Sequence, residues 1–219
     1  MITGGTHGLG KALALLCVEE GSHVIICARN EDKFDGLIHH DILAIKADVT
    51  KEGDLQNVMN AAVEKFGRVD VWINNAGIWL PHKPIEEVDW KRAHDLIEVN
   101  LFGTVYGSKL ALIQMRKQGE GAIVNILSTS ALEGRATSSA YSASKYAARG
   151  FSLSLTKEVE GTDIKVVSVY PGGMQTDFFD EKRPVNYSEY MESRYVADKI
   201  VENLKKNLPE EELIIKRNM

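Results

Sequence analysis

The chain has 219 residues, 44% of them hydrophobic and 26% charged, and a formal net charge of -5. These values are typical of a soluble globular protein, which we expect to form a single domain over residues 1–219, and they argue against disorder. The acidic balance offers no basic surface for nucleic acid, and no apolar run approaches the roughly 18 residues of a membrane span. Neither nucleic acid nor a membrane is an expected partner.

The two cysteines, Cys17 and Cys27, show no metal-like spacing with histidine, and the chain begins without a leader-like segment. The pairs His39 with His40 and His82 with His94 also lack ligand spacing. We therefore expect a reduced, cytoplasmic protein without a bound metal.

Short apolar runs rich in β-branched residues alternate along the chain with longer segments of helical period. This alternation predicts βαβ units with right-handed crossovers, that is, a doubly wound, Rossmann-type α/β fold with a parallel sheet and helices on both faces. The predicted strands are His23 to Ala28, Ile42 to Ala47, Val69 to Ile73, Ala122 to Leu127, Ile164 to Tyr170 and, at a sheet edge, Leu213 to Ile215.

The first strand is predicted to be truncated. A strand that leads into a phosphate-binding loop normally has about five residues, whereas only Met1 and Ile2 precede Thr3. Either the fold tolerates a stub in its central strand, or the sequence begins inside a longer natural protein.

A glycine-rich loop, TGGTHGLG from Thr3 to Gly10, lies between that stub and a predicted helix. Glycines let backbone N–H groups approach a pyrophosphate, and the N-terminus of a helix adds favourable partial positive charge. The loop therefore predicts a dinucleotide cradle that includes Thr3, Gly4, Gly8 and Gly10. A glycine-rich turn without a ligand is the alternative.

The end of the second strand indicates which dinucleotide is bound. An acidic residue there would hydrogen-bond the ribose of NAD, but the sequence has Arg29, whose guanidinium suits a 2′-phosphate. His7 is a candidate helper. We expect NADP(H) rather than NAD as cofactor, with a solvated loop arginine as the alternative.

Tyr141 and Lys145 lie four residues apart on one predicted helix, so their side chains share a face. A phenol with a pKa of about 10 is a poor acid or base at neutral pH unless a nearby cation favours its phenolate. We therefore expect Lys145 to lower the pKa of Tyr141 and to reach a cofactor ribose. Alone, such a pair is common on protein surfaces.

Ser128 follows the strand segment that ends at Leu127, which places its hydroxyl at the carboxyl edge of the sheet, where α/β proteins bind ligands. This position suits a hydrogen bond to a substrate carbonyl. Thr129 and Ser130 are competitors for the role, and a capping serine is the alternative.

Six segments in chain order, from Thr3 to Thr176, together resemble the short-chain dehydrogenase/reductase family. They are TGxxxGxG at Thr3 to Gly10, NNAG at Asn74 to Gly77, Asn100 in VNLFG, Ser128, Tyr141 with Lys145, and PGxxxT at Pro171 to Thr176. One departure is Leu127, which replaces the small polar residue often found before the catalytic serine.

The resemblance implies a catalytic tetrad of Asn100, Ser128, Tyr141 and Lys145. Asn100 would bend its helix and hold a water that links Lys145 to solvent. Without the family resemblance, the simpler interpretation is that Asn100 is a buried polar residue that hydrogen-bonds backbone groups.

The resemblance also implies further cofactor contacts. Asp48 would contact the adenine ring, although a helix cap explains it equally well. The NNAG segment would support the sheet and flank the adenosine, and Thr176 would bind the nicotinamide carboxamide. The implied contact residues beyond the glycine loop and Arg29 are Asp48, Asn75, Ala76, Gly77, Pro171, Gly172 and Thr176.

The function implied is an NADP(H)-dependent oxidoreductase that interconverts a small-molecule carbonyl compound and a secondary alcohol, with Tyr141 as general acid/base. Its substrate would be selected by Asp177 to Arg194, with Trp79 and Leu80 across the cleft. The family also implies a homodimer or homotetramer. A non-catalytic NADP(H) sensor and a truncated, weakly active family member are the alternatives.

Overall fold

The computed structural model describes residues 1–34, 37 and 39–217. Strands and helices alternate along them as the sequence predicts. In chain order they are β1 (Ile2–Thr3), α1 (Gly8–Glu19), β2 (Val24–Ala28), β3 (Ile42–Lys46), α2 (Glu52–Phe66), β4 (Val71–Asn74), α3 (Trp90–Ile97), α4 (Gly103–Gln118), β5 (Glu120–Ile126), α5 (Ser139–Glu158), β6 (Asp163–Pro171), α6 (Ser193–Leu204) and β7 (Glu212–Ile215).

The seven strands form one parallel sheet in the order β3-β2-β1-β4-β5-β6-β7. The predicted doubly wound α/β fold is confirmed, and β7 lies at an edge as expected. The chain runs outward from β1 in one direction through β2 and in the other through β4. Ligands of such sheets bind at the carboxyl ends of the strands beside this reversal.

The first strand is short, as predicted. Ile2 pairs with Ile26 of β2 and with Ile73 of β4, and its side chain is buried. The Met1 ammonium donates a hydrogen bond to the Val71 carbonyl at 2.8 Å, and the Met1 carbonyl accepts one from Ile73 N at 2.8 Å. These contacts place the glycine loop directly above the centre of the sheet.

Each face of the sheet carries its own apolar core. Along β2, Ile25 belongs to the core with Trp72 and Met115 under α2, α4 and α5, whereas Ile26 belongs to the core with Ile200 under α1 and α6. A strand buried on both faces reads as a continuous apolar run, which is why the sequence pattern revealed the strands so clearly.

A buried polar network joins β4, β5, α4 and α5. The Asn74 amide donates hydrogen bonds to Ser108 Oγ at 2.9 Å and Asn125 Oδ1 at 2.8 Å, and its oxygen accepts one from Trp72 Nε1 at 2.8 Å. Asn125 in turn donates to Ser152 Oγ at 2.8 Å. Because these partners satisfy one another, the network fixes how the two helices sit on the sheet. Asn74 is the first residue of the NNAG segment, and through these hydrogen bonds it joins β4 to β5 and α4.

The helical run Trp90–Gln118 spans 29 residues and has a mean hydropathy of 1.3 over its most apolar window. By length and composition this helix could cross a membrane, although polar residues such as Asn100 and Lys109 interrupt it and no uninterrupted apolar run of that length occurs. Of that window, 56% is buried, and Leu110 and Met115 belong to the core on one face of the sheet. Packing against the sheet accounts for the apolar composition.

Candidate active site

A cavity of about 750 Å³ opens at the carboxyl edge of the sheet, where segments that follow β1 to β6 converge. Most of the predicted site residues form its wall. Those on the wall are Gly4, Gly8, Arg29, Asp48, Asn75, Ala76, Gly77, Ser128, Tyr141, Lys145, Pro171, Gly172 and Thr176.

Thr3 and Gly10, predicted as cofactor contacts, lie behind this wall. Thr3 Oγ1 accepts hydrogen bonds from the backbone N–H groups of Asn75 and Ala76, each at 3.0 Å. A Cβ atom at Gly10 would collide with the Gly4 carbonyl and stand 2.6 Å from Asn75 Nδ2. These two residues therefore shape the glycine loop instead of lining the cavity.

The glycine loop is held open toward the cavity by its own backbone and by Asn75. Gly4 and Gly8 adopt left-handed φ angles of 65° and 52°, a conformation that residues with a Cβ atom rarely adopt. Asn75 Nδ2 donates to the carbonyls of Thr3 at 2.9 Å and Gly4 at 3.1 Å. At the start of α1, a Cβ on Gly8 would stand 3.2 Å from Thr176 Cγ2. The loop and the helix N-terminus thus leave space that fits a pyrophosphate.

The far end of the cavity carries one basic and one acidic side chain. Arg29 is exposed and directly follows β2, at the position from which the sequence predicts contact with a 2′-phosphate. Asp48 Oδ1 accepts from Thr50 N at 3.0 Å and Thr50 Oγ1 at 2.8 Å, while the residue capping α2 is Lys51. Asp48 thus forms a turn at the cavity wall, and the helix-cap alternative is wrong.

Tyr141 and Lys145 lie on one face of α5, as their spacing predicts. Lys145 is 5% exposed, and its ammonium donates to the Ile126 carbonyl at 3.1 Å and lies 6.0 Å from the centre of the Tyr141 ring. A buried lysine held by the last residue of β5 is fixed relative to the sheet.

Burial shifts the pKa values of both side chains away from the charged forms. It lowers the pKa of Lys145 to about 8 and raises the pKa of Tyr141 to about 12, although a hydrogen bond with Ser128 and the charge of Arg135 oppose the second shift. The expected net lowering of the Tyr141 pKa by Lys145 is therefore wrong for the protein by itself, because desolvation of the phenolate outweighs the favourable interactions.

Ser128 both caps a short helical turn and interacts with the Tyr141 side chain. Its Oγ accepts from Ser130 N at 3.1 Å and so caps the short turn Thr129–Ala131. The same side chain hydrogen-bonds the Tyr141 side chain. Thr129 and Ser130 also line the cavity, but Thr129 Oγ1 is engaged by Arg135 at 3.3 Å. Of the three hydroxyl residues, Ser128 is the one joined to Tyr141.

Asn100 lies in a π-helical turn, Glu98–Phe102, that interrupts the run between α3 and α4. Its Oδ1 accepts from Ile78 N at 2.9 Å, and its Nδ2 donates to the Ile78 carbonyl and to Ser144 Oγ, each at 3.0 Å. Asn100 therefore joins the loop after β4 to α5, behind Lys145. The bound water remains a prediction.

Thr176 lies on the cavity wall beside Gly8 of the glycine loop. Its Oγ1 accepts from Phe178 N at 3.3 Å, and its carbonyl accepts from the Tyr187 hydroxyl at 3.2 Å. These contacts hold Phe178 and Tyr187, two residues of the segment that the sequence assigns to substrate selection, close to Thr176.

Aromatic side chains of that segment form the outer part of the cavity. Phe179 packs edge-on against Trp79, with ring centres 5.1 Å apart, and contacts Tyr190 at 5.6 Å. Phe178 lies 6.3 Å from the Tyr141 ring. Trp79 thus lies across the cleft as expected, whereas Leu80 lines a smaller neighbouring cavity.

Four basic residues line the outer cavity: His82, Arg135, Lys182 and Arg183. Lys182 and Arg183 lie within the segment Asp177 to Arg194 that the sequence assigns to substrate selection. His82 and Arg135 were not predicted as site residues, and the available signal was their position in loops at the carboxyl ends of parallel strands, which face the ligand site.

One cluster of potential metal ligands occurs among the described residues, away from the cavity. His39, His40 and Asp41 have ligand atoms within 4.8 Å of one another just before β3, at the opposite edge of the sheet. Asp41 also accepts a hydrogen bond from His23 at 3.0 Å. The spacing argument overlooked this group because Asp41 was left out of it.

Comparison with known proteins agrees with this geometry. The short chain dehydrogenase family profile matches residues 1–186. An uncharacterised oxidoreductase of Staphylococcus aureus (strain MRSA252) is 33% identical over 205 residues, which cover 92% of this chain and 88% of the relative.

Two solved structures extend the likeness to three dimensions. A short-chain dehydrogenase from Streptomyces avermitilis has a TM-score of 0.88 at 30% identity, covering 98% of this chain and 86% of the other. The protein ElxO with NADP bound has a TM-score of 0.89 at 31% identity, covering 98% and 95%. The chain belongs to the short-chain dehydrogenase/reductase family and is an NAD(P)-dependent oxidoreductase.

Proposed function

We propose that this protein is an NADP(H)-dependent reductase of a small carbonyl compound, which it converts reversibly to a secondary alcohol. One observation carries the proposal: Ser128, Tyr141 and Lys145 line the same cavity, with the Lys145 ammonium 6.0 Å from the centre of the Tyr141 ring. A pair of hydroxyls beside a cation suits polarisation of a carbonyl oxygen followed by proton transfer to it.

The cofactor would extend along the cavity from Arg29 to Thr176. Gly4 and Gly8 would admit the pyrophosphate, Arg29 would pair with the 2′-phosphate, and Thr176 would hold the carboxamide. The bound nicotinamide supplies the electron pair for the carbonyl carbon as a hydride. NADP bound to ElxO, 31% identical to this chain, supports the choice of NADP(H).

Ser128 and Tyr141 would both donate hydrogen bonds to the carbonyl oxygen. Ser130 N donates to Ser128 Oγ, so the Ser128 hydroxyl hydrogen is the one that can be donated. A carbonyl oxygen bound between Ser128 and Tyr141 would take this hydrogen bond in place of the phenol oxygen. As the carbonyl carbon is reduced, negative charge develops on the oxygen, and Tyr141 transfers its phenolic proton to it. The product is the neutral alcohol and the Tyr141 phenolate.

The protonation states at neutral pH suit reduction. A tyrosine with a pKa raised to about 12 carries its proton there and can donate it, although burial makes it a weaker acid. The Lys145 ammonium stabilises the phenolate that remains, and its contact with the Ile126 carbonyl fixes it there. Alcohol oxidation uses the same residues in reverse and needs the phenolate first.

Asn100 would act as a positioning residue. Its amide ties Ile78, in the loop after β4, to Ser144, the neighbour of Lys145 on α5. A Cβ at Gly77, next to Ile78, would stand 3.3 Å from Asn100 Oδ1 and 3.7 Å from Lys145 Nζ. The loop therefore packs closely against both polar groups.

The test is NADPH oxidation, followed by absorbance, with a panel of ketones and aldehydes beside the same panel with NADH. We expect turnover with NADPH and slower turnover with NADH. Tight NADPH binding without turnover of any carbonyl compound or alcohol would favour the non-catalytic sensor instead.

A further inference from the structure

Basic side chains concentrate at the outer, substrate end of the cavity. The acidic residue on the described part of the cavity wall is Asp48, at the opposite end, and the chain as a whole carries a net charge of -5. A local excess of positive charge within an acidic protein attracts anions. The residues that create this excess are His82, Arg135, Lys182 and Arg183.

Two of these cations lack a countercharge. Arg183 is paired with Asp180 at 3.1 Å, but no carboxylate of the described residues lies within 4.0 Å of Arg135 or Lys182. The protein contact of the Arg135 guanidinium is a hydrogen bond to Thr129 Oγ1 at 3.3 Å. Arg135 and Lys182 therefore retain donors for a ligand.

The charges of these two residues act on the reacting end of the cavity. Burial and the charges of Arg135 and Lys182 lower the pKa of His82, and the charge of Arg135 also lowers the pKa of Tyr141 against the effect of burial. Arg135, Lys182 and Tyr141 also line the same cavity, so a substrate held by Tyr141 would present its other substituents toward the two cations.

The loops that carry His82 and Arg135 are fastened together. Lys83 N donates to the Thr137 carbonyl at 2.9 Å, and Ser138 N donates to the Arg135 carbonyl at 3.2 Å. Thr137 adopts a left-handed φ of 61°, which is strained for a β-branched residue and is maintained by these contacts. The cluster has a fixed backbone instead of two independent loops.

The segment that carries Lys182 is also anchored beside the cavity. Its neighbour Glu181 accepts two hydrogen bonds from Arg92 of α3, at 2.8 and 2.5 Å. Lys182 N donates to the Phe179 carbonyl at 3.0 Å, and the Phe179 ring packs on Trp79. Lys182 is therefore held on the rim, across from Arg135.

We propose that the carbonyl substrate is an oxo acid, whose carboxylate is bound by Arg135 and Lys182 while its carbonyl meets Ser128 and Tyr141. The inference rests on the proposed function and adds the substrate class. Arg183 is engaged by Asp180, so Arg135 and Lys182 are the two cations of the cluster without a carboxylate partner among the described residues. Two cationic donors match the two oxygens of a carboxylate.

The kinetic test compares 3-oxobutanoate with its methyl ester as substrates for NADPH oxidation. We expect the acid to have the higher kcat/KM. Arg135→Gln and Lys182→Gln should each raise the KM of the acid about tenfold or more, the effect of losing a charge-assisted hydrogen bond, and should change the ratio of kcat/KM for the acid to that for the ester by the same factor. Taking this ratio within one variant cancels any effect of the lost charge on Tyr141, which both substrates share. The matched controls, Arg116→Gln and Lys117→Gln on the exposed surface of α4, should change neither substrate.

A binding test separates this inference from the proposed function. Calorimetry of Tyr141→Phe loaded with NADP⁺ should show tighter binding of the acid than of the ester, and Arg135→Gln should abolish the difference. The affinity for NADPH alone should stay within about twofold, since the lost interaction is with the carboxylate.

The outcomes are distinguishable. Turnover of neutral carbonyl compounds with no preference for acids, or equal binding of acid and ester, would overturn the inference and leave the proposed function in place. Acid-specific binding without turnover in the wild-type protein would support the inference about the carboxylate site and overturn the proposed function. A preference for dihydroxyacetone phosphate over oxo acids, or a weakened NADPH affinity in Arg135→Gln, would overturn the assignment of these cations to a carboxylate.

Discussion

The Lys145 ammonium and the Tyr141 ring, with 6.0 Å between the nitrogen and the ring centre, are carried by the same helix beside the end of β5. Burial disfavours the charged form of each, so it lowers the pKa of the lysine and raises that of the tyrosine. At neutral pH the pair therefore consists of an ammonium and a neutral phenol, the state required for reduction of a carbonyl.

This charge state predicts the pH dependence of the reaction. The pKa of Lys145 is lowered to about 8, so the ammonium is present below that pH and is lost as the pH rises through it. We expect kcat/KM for reduction to fall above pH 8 by about tenfold per unit, as for one required proton. A pH series measured with saturating NADPH tests this.

The control for the pH series is Lys145→Arg, whose guanidinium stays charged throughout the range. In this variant the alkaline decline should disappear or move to higher pH, whatever its maximal rate. An unchanged decline near pH 8 in Lys145→Arg would show that another group causes it.

Arg29 should determine the preference for NADP(H). Replacement by serine removes the guanidinium that we assign to the 2′-phosphate, so the KM for NADPH should rise about 10- to 100-fold while that for NADH stays nearly constant. Steady-state kinetics with both cofactors measures this. Arg68→Ser, at an exposed arginine beside Asp70, is the control. Equal losses for the two cofactors in Arg29→Ser would contradict the assignment.

Gly10 should be essential for the shape of the cofactor loop. In Gly10→Ala the new methyl group would collide with the Gly4 carbonyl and crowd Asn75 Nδ2. We expect a loss of about 1–3 kcal/mol in the free energy of unfolding, typical of overpacking, and weaker NADPH binding. Denaturant unfolding and a fluorescence titration measure the two effects.

Gly53→Ala in α2 is the matched control for Gly10→Ala, because no heavy atom lies within 4 Å of the added Cβ. It should be neutral or stabilise the protein by up to about 1 kcal/mol, as alanine favours helices. If Gly10→Ala bound NADPH as tightly as the wild type, the close approach of Gly10 to Gly4 would be irrelevant to the site.

The homodimer or homotetramer expected from the family is testable through α4 and α5. These helices expose apolar side chains that include Ile113 and Leu153. We propose that this surface joins subunits, so light scattering should give at least twice the mass of one chain, and Ile113→Glu should reduce it. A monomeric wild-type protein at micromolar concentration would contradict this proposal.

Most of the fold was predictable because its strands are buried on both faces. The run from Val24 to Ala28 places Ile25 in one core and Ile26 in the other, so periodicity and length together revealed a strand of a covered parallel sheet. The length of the helical run Trp90–Gln118 was harder to predict, because polar residues such as Asn100 interrupt its apolar segments and its apolar content becomes visible only as a window average.

The sequence predicted those features of the site that a local motif determines. It did not predict those that depend on how distant segments pack together. The spacing of Tyr141 and Lys145 placed them on one helical face, but the rise in the pKa of Tyr141 depends on burial, which no local pattern reports. Thr3 belongs to the glycine motif, yet its hydroxyl is turned to the backbone of Asn75. Arg135 and His82 line the same cavity only because two separate loops converge there.

If the Tyr141 phenol is the proton donor in carbonyl reduction, its removal should abolish most of the chemistry and spare cofactor binding. Single-turnover NADPH oxidation by Tyr141→Phe beside the wild type, with one carbonyl substrate that the wild type reduces, measures this. We expect unchanged NADPH affinity and a rate lower by about 100-fold or more, the range for a lost general acid. A variant that retains the wild-type rate would contradict this role of the phenol.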